Sequence, residues 1–196
     1  YNTGVVSGRD MVSGICGLSS STIQKCYNTG EVSSNSDIGG ISGYNRGTIQ
    51  NCYNTGNISG NSDIGGICGY NIGLVQYCYN ASKLIGSKNI GGICGDNSTV
   101  REFSNCYFDS LLYTGEAIGS SDKLSTAKNV EGKTTVQFKS GEVTYLLQGD
   151  PKKQTDIVWG QTLTGDDTRK YPVFGGKPVY QVEQYSVCEQ AKDNVT

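Results

Sequence analysis

Two aspartates, Asp37 and Asp63, stand 26 residues apart inside identical NSDIGG segments. If a fold brings that spacing together, one carboxyl could protonate a leaving group while the other attacks, as in retaining glycosidases whose carboxyls lie about 5 to 5.5 Å apart. The same carboxylates, with amide and carbonyl oxygens around them, could instead share a calcium ion. Little other chemistry is available. The chain has no histidine, which excludes Ser-His-Asp and Cys-His nucleophiles, HExxH zinc sites and histidine general bases. No two glycines stand two apart, and neither a Walker loop, a GxSxG elbow nor a CxxC pair occurs.

Tyrosine is the other surplus, with 13 in the chain. Tyr27, Tyr53 and Tyr79 each follow a cysteine, with Tyr1 and Tyr107 aligned to them, and Tyr44 and Tyr70 form a second short series. Strand alternation that turns each cysteine inward turns the next residue outward, giving a stripe of exposed aromatic faces. Such a stripe could stack on sugar rings or anchor a partner protein. Tyrosines stacked on one another could equally do no more than stabilise neighbouring repeats, and this is the preferred reading.

The element that must position these residues is a repeat. CYNTG at Cys26–Gly30 returns at Cys52–Gly56, and CYNAS follows from Cys78, a step of 26 residues. The copies run 1–26, 27–52, 53–78 and 79–106, the last with two extra residues between Asn97 and Phe103. Small apolar residues recur in columns: Val6, Val32, Ile58, Leu84; Val12, Ile38, Ile64, Ile90; Ile15, Ile41, Ile67, Ile93; and Ile23, Ile49, Val75, Phe103. No copy carries ten residues of helical apolar spacing, and its glycines would each cost a helix about 1 kcal/mol. Short β-branched runs between Gly, Asn and Ser turns fit strands.

A period of this length with four short strands predicts a mainly all-β chain, a right-handed parallel β-helix of about four to five coils. Coils stack about 4.8 Å apart, so every column becomes a ladder. Glycines are expected at corners, taking positive φ. Asn45, Asn71, Asn97 and Asn28, Asn54, Asn80 are expected to form amide ladders that satisfy turn backbone groups. Asp37 and Asp63 are then within reach of each other. Because they come with the repeat template, and a catalytic site usually breaks repeat symmetry, turn capping is preferred for them, with Asn89 doing the same in the fourth copy. Calcium is the weaker alternative, since GGICGYN lacks the aspartate of the GGxGxD repeat.

The segments GGISGYNRGTIQNCYNTGNISG and GGICGYNIGLVQYCYN resemble the GLUG motif, a repeat of bacterial surface proteins that include adhesin-like chains and some immunoglobulin A peptidases. The resemblance covers residues 1 to about 106. It departs from the usual motif in an Ile at the third position of GGLVG, and in Cys16, Cys68 and Cys94 where an aliphatic residue is more usual. It implies a structural repeat, an extracellular or cell-surface location and no particular activity.

Composition divides the chain. Residues 1–121 hold 21 of the 28 glycines but 14 of the 34 charged residues, and 122–196 hold the rest. Residues 107–121 read as a last, degraded coil, and 122–196 as a small α+β cap over the open end of the solenoid. Within the cap, Ser140 is the expected N-cap of a short helix with Glu142 in its first turn, Val143, Leu146 and Leu147 on one face, and Gly149 at its end. Trp159, Leu163, Tyr171–Phe174 and Pro178–Val182 read as short strands. FKSGEVTYLLQ and YPVFGGKPVY also resemble the C-terminal unit that follows such repeats in surface proteins of gut-type bacteria.

Seven of the eight cysteines sit in two repeat columns, Cys16, Cys68, Cys94 and Cys26, Cys52, Cys78, Cys106, so buried free thiols are expected over disulfides. Cys188, outside the columns, is the expected reactive one. A net charge of −2 without a Lys/Arg run excludes nucleic acid as a partner. No apolar stretch approaches about 18 residues, so no transmembrane segment is expected. An uncapped first coil would expose an edge, so a monomeric fragment of a longer chain, extended N-terminally, is expected.

Function is accordingly expected to be non-catalytic, a structural and interaction module of a bacterial surface or secreted protein that meets a host or matrix glycan or protein. Tyr27, Tyr53, Tyr79, Tyr44 and Tyr70 are the candidate binding residues, with no cofactor beyond the calcium candidate at Asp37 and Asp63. A carbohydrate-binding or polysaccharide-cleaving β-helix, and an inert stalk for a separate active domain, are the alternatives. Symmetry-breaking positions, Arg46, Ile72, Tyr77 and the insertion around Arg101 and Glu102, are where binding loops would sit, although drift explains them equally well.

Overall fold

A computed structural model of the chain describes residues 1–98, 102–121, 126–149, 158–163 and 171–179. The repeat folds as a parallel β-solenoid of about five turns. Each 26-residue copy supplies four walls, and every wall pairs in parallel with its counterpart one coil away. The first wall stacks Val6–Ser7, Val32–Ser33, Ile58–Ser59 and Leu84–Ile85, the second Asp10–Ser13, Ser36–Gly39, Ser62–Gly65 and Lys88–Gly91. The third wall runs from Cys16–Ser19 to Ile118–Ser121. The fourth has two arms that the seven-residue strand Phe103–Asp109 joins, pairing Phe103 with Val75 and Tyr107 with Tyr79.

Registers such as Val6↔Val32, Val12↔Ile38 and Cys68↔Cys94 are those that the columns require. The inward columns form the core: Ile41, Ile49, Ile67, Val75, Ile93 and the cysteines in one cluster, Val12, Val32, Ile38, Ile58, Ile64 and Leu84 in the other. Dry β-branched ladders of this kind are what hold coils that could not bury themselves singly. All seven described cysteines are free, five of them buried, and Cys16, Cys26, Cys52, Cys78, Cys94 and Cys106 turn their thiols to backbone carbonyls, as Cys78 Sγ to Gln76 O at 3.2 Å. Cys188 lies outside the described residues.

Both asparagine columns form the expected ladders. Asn28 Nδ2 donates to Asn54 Oδ1 at 2.8 Å, and Asn54 Nδ2 to Asn80 Oδ1 at 2.9 Å. Asn45 and Asn71 continue in the same way to Asn97. Each amide also serves its own turn: Asn28 donates to Gly30 O and accepts from Gly30 N. A buried asparagine such as Asn28 thus satisfies its own turn and both neighbouring amides at once, using two donors and two acceptor lone pairs. In the last coil Phe108 replaces the asparagine and packs into the core, where Tyr113 meets it at 6.0 Å.

The glycines have another role than expected. Positive φ falls on two non-glycine columns, Met11, Asp37, Asp63, Asn89 and Lys25, Asn51, Tyr77, Asn105, Asn129, at 50° to 56°. The repeat glycines are instead places of close approach: a Cβ at Gly56 would fall on the Gly30 carbonyl oxygen of the coil beneath. Stacked turns leave no volume for a side chain there.

The ladder also runs further than the sequence reading placed it. Ala127–Lys133, within the stretch assigned to the cap, pairs in parallel with Phe103–Asp109 from Phe103↔Ala127 to Asp109↔Lys133. Its copy-like features are weak because charged and polar residues fill it on an outer edge, where the core pattern is no longer imposed.

Two helices follow where one was expected. Helix α1, Thr135–Lys139, opens on a capping box in which Thr134 accepts from Gln137 N and Gln137 from Thr134 N. Helix α2, Glu142–Gln148, has Gly141 at its N-terminus with φ of 93°, a value a side chain would strain. Ser140 closes α1 instead, and its Oγ accepts from Glu142 N at 3.4 Å. Trp159–Gly160 and Val173–Phe174 form an antiparallel pair. Leu163 and Pro178 lie outside strands, and residues 180–182 outside the described residues.

Candidate functional site

The tyrosine column is the most ordered feature of the surface. Tyr1, Tyr27, Tyr53 and Tyr79 stack with centroids 5.1, 4.9 and 5.0 Å apart and planes within 4° of parallel. A stripe of exposed ring faces is therefore not what forms; the rings stack on one another, as the preferred reading of the column has it. Rings one coil apart cover each other's faces, because the 26-residue step aligns them at stacking distance, and they present their edges outward.

From Tyr53 onward even those edges are covered. The described part of the C-terminal segment lies along this column. Phe138, Val143, Leu147 and Trp159 share a buried cluster with Tyr53, Tyr79 and Tyr107, flanked by Tyr27, Tyr171 and Phe174. Polar contacts fix the register: Tyr79 Oη donates to Pro172 O at 2.7 Å, Trp159 Nε1 to Asn51 Oδ1 at 3.1 Å, and Tyr171 Oη to Asp109 Oδ2 at 2.8 Å. Burial pushes the Tyr53 hydroxyl up to about 12 and that of Tyr79 well above the ordinary tyrosine range, the Tyr27 and Tyr53 neighbours adding to it. Two clefts remain beside the docked segment. One of about 390 Å3 is lined by Thr29, Tyr53, Thr55, Tyr79, Tyr171 and Val173 among others, and one of about 290 Å3 lies between Tyr77, Tyr107, Lys128 and Tyr145.

Tyr44 and Tyr70 are on the third wall and half exposed. They meet edge to face at 4.9 Å and 88°, with the Arg46 guanidinium 4.8 Å over Tyr44 and Leu18 exposed one coil away. Arg46 and Tyr70 thus form an amphipathic surface of the kind that recognition patches use. The structure keeps this pair apart in arrangement from the main column, since its rings do not stack in parallel.

Asp37 and Asp63 occupy one of the two left-handed columns, at φ of 52° and 54°. Short Asp and Asn side chains tolerate that conformation best, which accounts for their type without reference to chemistry. Asn89 follows one coil on and donates to Asp63 Oδ1 at 2.7 Å. Burial, and then the charges of Asp63, Asp10 and Asp96, hold the Asp37 carboxyl above its usual range. A carboxyl so raised beside a second one is raw material for general acid catalysis. Neither cleft described above is lined by it. Among the described residues no group of three or more His, Cys, Asp or Glu is placed to hold a metal ion, and one carboxylate oxygen of Asp63 accepts from Asn89.

Sequence reasoning missed the ring partners Phe138, Trp159, Tyr171 and Phe174. Their spacing in the tail follows no period, and the tail is about as rich in aromatics as the repeat, so the sequence carries no signal for them.

The class is that of a parallel β-solenoid built from 26-residue repeats. Residues 34–59 match the family model of the GLUG motif, a window one coil long. The chain thus carries a GLUG motif within its repeats. No curated protein matches the chain. No solved structure matches it either.

Proposed function

We propose that this repeat region is a non-catalytic structural and interaction module of a bacterial surface or secreted protein, adhesin-like in role and acting outside the cell. The observation that carries this reading is the use to which the repeat columns are put. Isoleucines and cysteines fill the interior, asparagines tie the turns, Asp37 and Asp63 occupy left-handed corners, and Tyr53 and Tyr79 seat the chain's own C-terminal segment. On the third wall the Tyr44, Tyr70 and Arg46 patch faces outward, suited to a host or matrix glycan or protein.

A glycan-array screen of the purified chain, run with calcium and with chelator, tests the reading. Binding that weakens in Tyr44→Ala or Tyr70→Ala and ignores the chelator is expected. Binding that needs calcium and vanishes in Asp63→Asn would instead move the site to the aspartate column.

The raised carboxyl of Asp37 beside Asp63 favours a second reading, a polysaccharide-cleaving face. The turn role of that column and its succession by Asn89 weigh against it.

A further inference from the structure

The docked C-terminal segment follows a rule along the tyrosine column. Phe174 spans Tyr27 and Tyr53, at 6.3 and 5.2 Å and tilts of 56° and 58°. Trp159 spans Tyr53 and Tyr79, at 6.0 and 5.6 Å and tilts of 54° and 55°. Phe138 meets Tyr79 at 5.5 Å and 56°. Tyr171 lies nearly parallel to Tyr79, at 6.4 Å and 11°, but these three rings come in tilted, in herringbone fashion. The cause is electrostatic: stacked tyrosines turn their positively polarised edges outward, and a tilted ring offers its negative face to them.

The gap between Tyr1 and Tyr27 has the same geometry, 5.1 Å and 4°. No ring among the described residues spans it, Tyr1 is 81% exposed, and Tyr27 is half-buried. We infer that this gap is a docking site for a phenylalanine or tryptophan side chain carried on an extended segment of a partner protein. The site continues an interface already formed within the chain, and its geometry is that of the two filled gaps beside it. A sugar ring is the poorer fit in this gap, because pyranoses stack on aromatic faces and the two faces that bound the gap cover each other. The chain itself supplies the pattern for the partner: Phe174 arrives on the short strand Val173–Phe174 and leaves through Gly175, whose φ of 66° turns the backbone away. The inference deepens the interaction-module reading, and rests on it, by naming what the partner brings.

The test uses the peptide YPVFGGKPV, a copy of residues 171–179, titrated into the whole chain with ring-labelled tyrosine and followed by NMR. Saturable shifts of the Tyr1 and Tyr27 rings are expected at about millimolar peptide. Affinity should fall about tenfold when the peptide's phenylalanine is replaced by alanine, and about tenfold in Tyr1→Ala protein, while Tyr1→Phe retains it. Tyr1 is exposed enough that Tyr1→Ala should melt as the parent does, which a thermal scan checks. Shifts that persist in Tyr1→Ala protein mean that the peptide has only exchanged with the docked segment, and overturn the inference. So does equal binding of the alanine peptide, or a response of Tyr1 to cellobiose in place of the peptide. Such failures concern this gap alone, whereas the module reading falls with release of sugar products from a polysaccharide.

Discussion

Replacing Trp159 by alanine should free the C-terminal segment from the tyrosine column while leaving the coils intact. Trp159 is 1% exposed and touches Tyr53, Tyr79 and Phe174, the last at 4.8 Å. Truncating a buried tryptophan costs about 3 to 5 kcal/mol, and loss of the indole bond to Asn51 adds about 1 kcal/mol. A shift of that size lowers the ratio of docked to released segment more than a hundredfold, at about 1.4 kcal/mol per decade. Ultraviolet titration of tyrosinate reads the outcome. In the parent chain burial holds Tyr53 up at about 12, so part of the tyrosine absorbance develops late. In the variant those hydroxyls should ionise with the exposed ones, near about pH 10. The sign follows from linkage. The docked state keeps the proton longer than the released one, so docking is fully stable below about pH 10 and weakens as pH rises towards 12. A variant that titrates like the parent, with unchanged resistance of residues 134–179 to proteolysis, would refute the lateral docking.

Asn54→Ala should strike the coils themselves. It strands the Gly56 N–H, cuts the ladder to Asn28 and Asn80 in a buried site, and should cost about 2 to 4 kcal/mol in urea denaturation; a loss under about 1 kcal/mol would count against the amide ladder. Asp37→Asn should stabilise the chain by a few tenths of a kcal/mol at neutral pH, after screening of a half-exposed group is allowed for. Because the raised carboxyl binds its proton more tightly when folded, the parent loses stability as pH climbs from about 4, and the gain of the variant should open over that range and vanish below it. Denaturation curves on either side of that range check it, and a variant less stable than the parent at neutral pH would contradict the repulsion.

The solenoid was legible because its cause is local and repeated: a 26-residue step fixes which residues meet, and Ile38 over Val12 or Cys94 over Cys68 needs no further information. The asparagine ladders were legible for the same reason. The glycine columns were misread in role because φ and close approach depend on how turns nest, which composition does not report: Met11, Lys25 and Tyr77 hold positive φ that no propensity scale assigns them. The outward tyrosines were foreseen as a ladder, but not that Trp159 and Phe174 would close over it. That contact joins residues about a hundred apart with no shared period, so only packing reveals it.

Whether the aspartate column does chemistry is decided by product analysis of the chain, Asp37→Asn and Asp63→Asn incubated with a panel of plant, bacterial and host polysaccharides. The account predicts no released oligosaccharide from any of the three. Release by the parent that disappears in either variant would make Asp37 and Asp63 an active site and contradict the module reading.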